Sequence, residues 1–199
     1  MPTVITDINQ LDFSKQYTYA DYLKWQFEER IELLKGFIAK MAAPNRYHQK
    51  ISGELFRSII NHLHKSPCSV YAAPFDVRLT RKNKITNKEV TTVVQPDLCV
   101  ICDKGKLDKR GCVGAPDWII EILSPGNTKK EMKDKFQIYQ ENGVKEYWLV
   151  QPDDKTVFVY ILNEEGKYIG LPPLTDDDMA TPYIFPELQI NLKDVFEED

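Results

Sequence analysis

Ile51, Leu55, Ile59 and Leu63 recur at steps of four across residues 45–65, the stripe of an amphipathic helix that starts just after Pro44 and lies against a sheet. Residues 18–27 (TYADYLKWQF) read as an earlier helix, and residues 30–41 (RIELLKGFIAKM) as two short strands turning at Lys35-Gly36. Beyond the long helix the pattern changes to β-branched and aromatic runs. Residues 69–80, 90–102, 117–123, 146–150 and 157–162 are predicted strands. The run DWIIEIL at 117–123 is almost wholly apolar, which puts it at the centre of the sheet. Another helix runs from Thr128 to about Asn142, opened by the T-x-x-E capping-box spacing of Thr128 and Glu131 and stopped by Asn142-Gly143. This order of elements predicts an α/β or α+β fold, a central mixed β-sheet flanked by helices.

Composition narrows the class. A chain of 199 residues with 42% hydrophobic content builds one sizeable core, so a single domain over residues 1–199 is expected. Charged residues at 28%, with both signs interspersed, exclude disordered and fibrous classes. The opening MPTVITDINQLDF has no basic segment followed by an apolar run, and no stretch approaches the roughly 18 apolar residues of a membrane span. A cytoplasmic protein with no membrane partner is the expectation. The four cysteines, at 68, 99, 102 and 112, are unevenly placed, and reduced thiols are expected. Cys99 and Cys102 have zinc-like spacing, but an odd separation along a strand turns them to opposite faces, which argues against zinc. A net charge of −4 weighs against a protein that coats nucleic acid non-specifically by phosphate neutralisation, yet leaves room for an enzyme with a local basic patch and a bound cation. Gly-rich phosphate loops, HExxH and GxSxG are all missing from the sequence, so nucleotide hydrolysis, zinc proteolysis and serine-esterase chemistry lack support.

Two carboxylates stand out against this background. Pro96-Asp97 lies within an otherwise apolar predicted strand, and Glu121 is the only charged residue in 118–123. A buried carboxylate is costly unless it is paired or binds a cation. Two of them on neighbouring strands make a hard oxygen site for Mg²⁺ or Mn²⁺, with room left for a phosphate oxygen and an activated water. Taken singly, Asp97 reads equally well as a turn residue and Glu121 as the partner of a lysine. The pair is more informative than either member.

Gln95-Pro96-Asp97, twenty-three intervening residues, and Glu121-Ile122-Leu123 resemble the PD…(D/E)XK signature of the restriction-endonuclease-like nucleases. More narrowly, RIELLKG, YHQ, APFDVRL, QPDLCV, GAPDWIIEILSP, GVKEYWLV and FPELQINLKDVF, in this order, resemble the Uma-two family over about residues 18–196. The resemblance implies a restriction-endonuclease-like core and a Mg²⁺-dependent (or Mn²⁺-dependent) DNA endonuclease that hydrolyses phosphodiesters with metal-activated water, Asp97 and Glu121 holding the metal. It also implies that the third-motif lysine, replaced here by Leu123, has moved to the following helix.

On that helix Met132, Phe136 and Tyr139 define the inward face, Lys135 borders it, and Lys129, Lys130 and Lys133 point elsewhere. Lys135 is therefore the candidate to position water or stabilise phosphoryl charge, although by itself it reads as a solvated helix lysine. His48 sits on the apolar side of its helix near the N-terminus, as a helix-end histidine or a catalytic one. Glu32 matches the family's ELxxG segment and is a candidate for the outer shell of the metal, whereas Asp76 reads as structural. Two functional classes remain at this point, a nuclease and a catalytically weak or inactive DNA-binding or regulatory module, and Asp97, Glu121 and Lys135 gathered at one ion would distinguish them. Cutting both strands of a duplex also favours a homodimer.

Overall fold

A capping box sets the first helix. In the computed structural model, which describes residues 4–80, 86–126 and 128–198, the Thr18 backbone N–H and hydroxyl both donate to the Asp21 carboxylate (3.1 and 2.9 Å) and start α1 (Tyr19–Tyr22). The helix ends after one turn instead of reaching residue 27. Ile5 bridges Trp25, Gln26 N–H donates to Ile5 O (2.8 Å), and Trp25 packs edge-on against Tyr17, so the following residues are drawn off by a segment far outside the helical period. The predicted hairpin forms as β1 (Ile31–Leu34) and β2 (Phe37–Lys40), with Lys35 and Gly36 both at positive φ (52° and 92°), as a tight two-residue turn requires. The long helix α2 (Arg46–Leu63) is capped by the Asn45 side chain, which accepts from His48 N–H (2.8 Å).

The predicted strands at 69–80 and 90–102 are each divided between two sheets. The first becomes β3 (Ser69–Ala72) and β4 (Val77–Arg78), the second β5 (Val93–Val94) and β6 (Leu98–Ile101). The breaks fall at Pro74 and Pro96, which have no N–H to give a ladder. Asp97 thus stands at a junction between sheets rather than inside a strand. An unpredicted hairpin follows, β7 (Leu107–Asp108) and β8 (Gly111–Val113), then the predicted β9 (Trp118–Ile122), α3 (Lys129–Asn142), β10 (Glu146–Gln151) and β11 (Thr156–Leu162). Gly111 (φ 126°) is required there, since a Cβ would lie 2.1 Å from Asp76 O. The chain ends in β12 (Tyr168–Gly170), β13 (Leu174–Thr175), β14 (Met179–Ala180), β15 (Ile190–Asn191) and α4 (Leu192–Phe196).

The larger sheet has the order β12-β11-β10-β9-β6-β3, with β13 also on β11, and the smaller β2-β1-β5-β4-β8-β7. Both are mixed. In the larger sheet only β9 and β10 run parallel, joined by α3, and β9 is interior as its apolar run predicts. One face of this sheet packs Leu98, Ile120 and Trp148 against α2 and α4. The other packs Cys99, Ile119 and Tyr147 against Ile138 and Tyr139 of α3.

Two cysteines depart from the reduced state expected for all four. Ser69 pairs with Ile101 in the β3–β6 register, so the next step brings Cys68 opposite Cys102, and the structure joins them in a disulfide. Cys99 and Cys112 are free and buried together on the α3 side. Among the described residues no helix is long and apolar enough to cross a membrane.

Glu146 at the start of β10 is fully buried yet faces no cation among the described residues. It accepts from Trp148 Nε1 (2.7 Å), Tyr183 N–H (3.0 Å) and Ile184 N–H (3.0 Å), and although burial raises its pKa these donors favour its charge. It anchors the segment leading to β15. Replacing it with alanine leaves the buried Trp148 indole N–H and two part-buried backbone N–H groups without their acceptor, and should lower the unfolding free energy by about 2–3 kcal/mol in a urea titration.

Candidate active site

Asp97 and Glu121 meet across two adjacent strands. In the antiparallel β6–β9 pair Leu98 stands opposite Ile120, so one further step sets Asp97 opposite Glu121, and directly opposed side chains share a face. That face carries α3. Asp97 Oδ2 accepts from the Ile122 N–H (2.8 Å), continuing the ladder through its side chain where Pro96 has broken it. Both carboxylates line one cleft with His48, Ser124 and Lys135.

Lys135 does not border the inward face of α3 but belongs to it, buried with Ile138 and Tyr139, while Met132 and Phe136 are partly buried. Its Nζ lies 3.0 Å from Glu121 Oε1 and 3.0 Å from Glu32 Oε2. The contact with Glu121 is a hydrogen bond, whereas Glu32 Oε2 is at ion-pair distance without hydrogen-bond alignment. Burial disfavours the ammonium, but Glu121 and Glu32 outweigh it and hold Lys135 protonated. Glu121 shifts the other way for a carboxylate: burial raises its pKa, Lys135 opposes, and Asp97 and Glu32 push it up further. The Tyr139 hydroxyl also donates to Glu121 Oε1, and its own pKa is raised by burial and by that carboxylate.

Glu32 comes from the second sheet. Its Oε1 accepts from the Gln95 backbone N–H (2.8 Å), which ties β1 to the residue just before Pro96-Asp97. His48, in the first turn of α2, reaches the cleft from the opposite side, with Nε2 3.3 Å from Asp97 Oδ2. Burial works against a charged His48, but the Asp97 carboxylate, with smaller contributions from Ile122 and Glu121, leaves its pKa raised.

All five predicted site residues therefore converge: Asp97, Glu121, Lys135, Glu32 and His48. Asp76 lies apart, accepting from the Tyr19 hydroxyl (3.0 Å) and Gln95 Nε2 (3.0 Å). A family model described as "Putative restriction endonuclease", Uma2, matches residues 19–193. The chain belongs to the Uma2 family.

This Uma2 protein is 25% identical over 154 residues to an uncharacterized protein of Synechocystis sp., the match spanning 76% of this chain and 77% of the relative. Its fold is also that of a "putative nuclease" from Anabaena variabilis seen in a crystal structure, with TM-score 0.69, 22% identity, and coverage of 90% of this chain and 97% of the other. The family description is that of a nuclease.

Two features of this Uma2 site bear on metal. Asp97 Oδ1 and Glu121 Oε2 accept no hydrogen bond among the described residues, so each carboxylate keeps one oxygen for a cation. Among the described residues no group of three or more His, Cys, Asp or Glu is arranged as a metal cage. Two carboxylate oxygens completed by waters suit Mg²⁺, which keeps much of its hydration, and the residues fit such an ion. Periodicity put Tyr139 on the inward face of its helix but not in contact with Glu121, and it does not single out Gln95 or Arg30 as site residues. The sequence signal for Gln95 and Arg30 was their position, one residue before Pro96 and two before Glu32.

Proposed function

We propose that this protein is a Mg²⁺-dependent or Mn²⁺-dependent DNA endonuclease, with Asp97 and Glu121 as the metal-holding residues. The observation that carries the reading is their opposition in register, each with one oxygen unclaimed. Charge supports it as well: Glu121 and Glu32 share a single buried ammonium, Lys135, and a divalent cation between Asp97 and Glu121 would offset the excess negative charge. When bound, such an ion polarises a phosphoryl oxygen and lowers the pKa of a water molecule. Within the chain, Lys135 is suited to orient the attacking water and to stabilise charge on the phosphoryl oxygens. Glu32 keeps Lys135 charged from the side away from the substrate, and Tyr139 fixes the Glu121 carboxylate. The gathering of Asp97, Glu121 and Lys135 favours this enzyme over an inactive DNA-binding module.

Metal binding should depend on pH in a definite direction. Glu121 must lose its proton to take a cation, and its pKa is raised above the ordinary carboxylate range by burial. Affinity for Mn²⁺ should therefore increase with pH through that raised range, by roughly tenfold per unit below the pKa. Calorimetric titrations between about pH 5 and pH 8 measure it. Affinity that is flat over this interval would remove Glu121 from the ligand set. Two-strand cleavage further calls for a homodimer, which sedimentation at micromolar concentration would reveal or refute.

A further inference from the structure

Beside the carboxylate pair, the cleft continues along Arg30, His48, Gln49, Ser52 and Ser124, with Asp97 on its floor. Arg30 immediately precedes β1 and extends its hairpin, since Met41 N–H donates to Arg30 O (3.0 Å). Strand alternation then turns Arg30 to the same face as Glu32. Both side chains meet Gln95. Its backbone N–H binds Glu32, and its Oε1 accepts from Arg30 Nη2 (3.1 Å) and Nε (3.4 Å). The Gln95 amide is itself fixed, because Nε2 donates to Asp76 Oδ1 (3.0 Å) and Tyr22 OH (3.1 Å).

A neutral amide thus aims the Arg30 guanidinium without cancelling its charge, and among the described residues no carboxylate pairs with it. A guanidinium has five donors in a planar fork matched to two oxygens of one phosphate, and here two point at a single Gln95 oxygen. On the far wall His48 is buried, and its Nδ1 has no partner among the described residues.

We propose that this wall is a phosphate subsite, in which Arg30 binds the non-bridging oxygens of a DNA phosphate next to the scissile one and Gln95 is the positioning residue that orients Arg30. The inference rests on the nuclease reading and gives that site its substrate register. A cation held out by a neutral partner, next to three carboxylates, serves to bring a polyanion toward a negative pocket.

Arg30→Ala should raise KM for a short DNA duplex by about tenfold or more, the scale of one charge-assisted contact, with kcat much less affected. Arg30→Lys should recover part of the loss. The slope of log(kcat/KM) against log salt should fall by about one, which a purely structural role would not produce. An unchanged KM and salt slope in Arg30→Ala would overturn the subsite. If the wild-type protein cuts no DNA, the nuclease reading fails separately, and inorganic phosphate still tests the subsite. Titrated into the wild type, phosphate should shift the Arg30 Nε–H resonance and the His48 ring resonances, and the His48 shift should vanish in Arg30→Ala. Resonances that stay fixed in the wild type would refute phosphate binding at this wall.

Discussion

Lys135→Ala should abolish DNA cleavage and lower the unfolding free energy by about 3–5 kcal/mol, because it leaves two buried carboxylates without their shared cation. The stability loss distinguishes this lysine from an ordinary helix cation. Lys133, two residues away on the opposite side of the helix and exposed, should tolerate alanine within about 0.5 kcal/mol and with full activity. Mg²⁺ should return part of the lost stability in Lys135→Ala, since a divalent ion restores positive charge beside Glu121. Thermal melts with and without Mg²⁺, run beside cleavage at a temperature where both variants are folded, separate the two effects. Equal cleavage by the Lys135 and Lys133 variants would remove Lys135 from the chemistry.

Glu121→Gln should contrast in stability: it also loses cleavage, by about a thousandfold, and loses metal binding, but it costs the metal-free fold little. The sign follows from the raised pKa. A carboxyl whose pKa is higher folded than unfolded opposes folding once the pH exceeds its unfolded value, so removing its charge relieves that penalty. Glu32 remains to hold Lys135. The metal-free variant should therefore be as stable as the wild type or more so at about pH 8, with the difference closing below about pH 4, where the unfolded carboxyl is protonated as well. A loss of several kcal/mol at high pH would mean that the Glu121–Lys135 pair is a net source of stability.

These two residues also show how far the sequence could be read. Asp97 and Glu121 were legible because strand burial makes a lone carboxylate conspicuous, and the β6–β9 register then aligns them. Lys135 was legible in position but not in depth. The face defined by Met132, Phe136 and Tyr139 is rotated toward Lys135 and Ile138, because two carboxylates draw the ammonium inward. The two broken strands look continuous in the sequence, since each half keeps strand-like composition and only the prolines mark the change of sheet. Arg30, Gln95 and Glu146 depend on contacts 65, 63 and 37 residues away in sequence, and no local period encodes such partners. The Cys68–Cys102 pairing likewise emerges only from the β3–β6 register.

The most direct test of the central claim is cleavage of plasmid and oligonucleotide DNA by the wild type and by Asp97→Ala, each with Mg²⁺, with Mn²⁺ and with EDTA. The account predicts strand scission by the wild type with either metal, none with EDTA, and none by folded Asp97→Ala under any condition. Cleavage by Asp97→Ala at the wild-type rate, or by the wild type in EDTA, would contradict it.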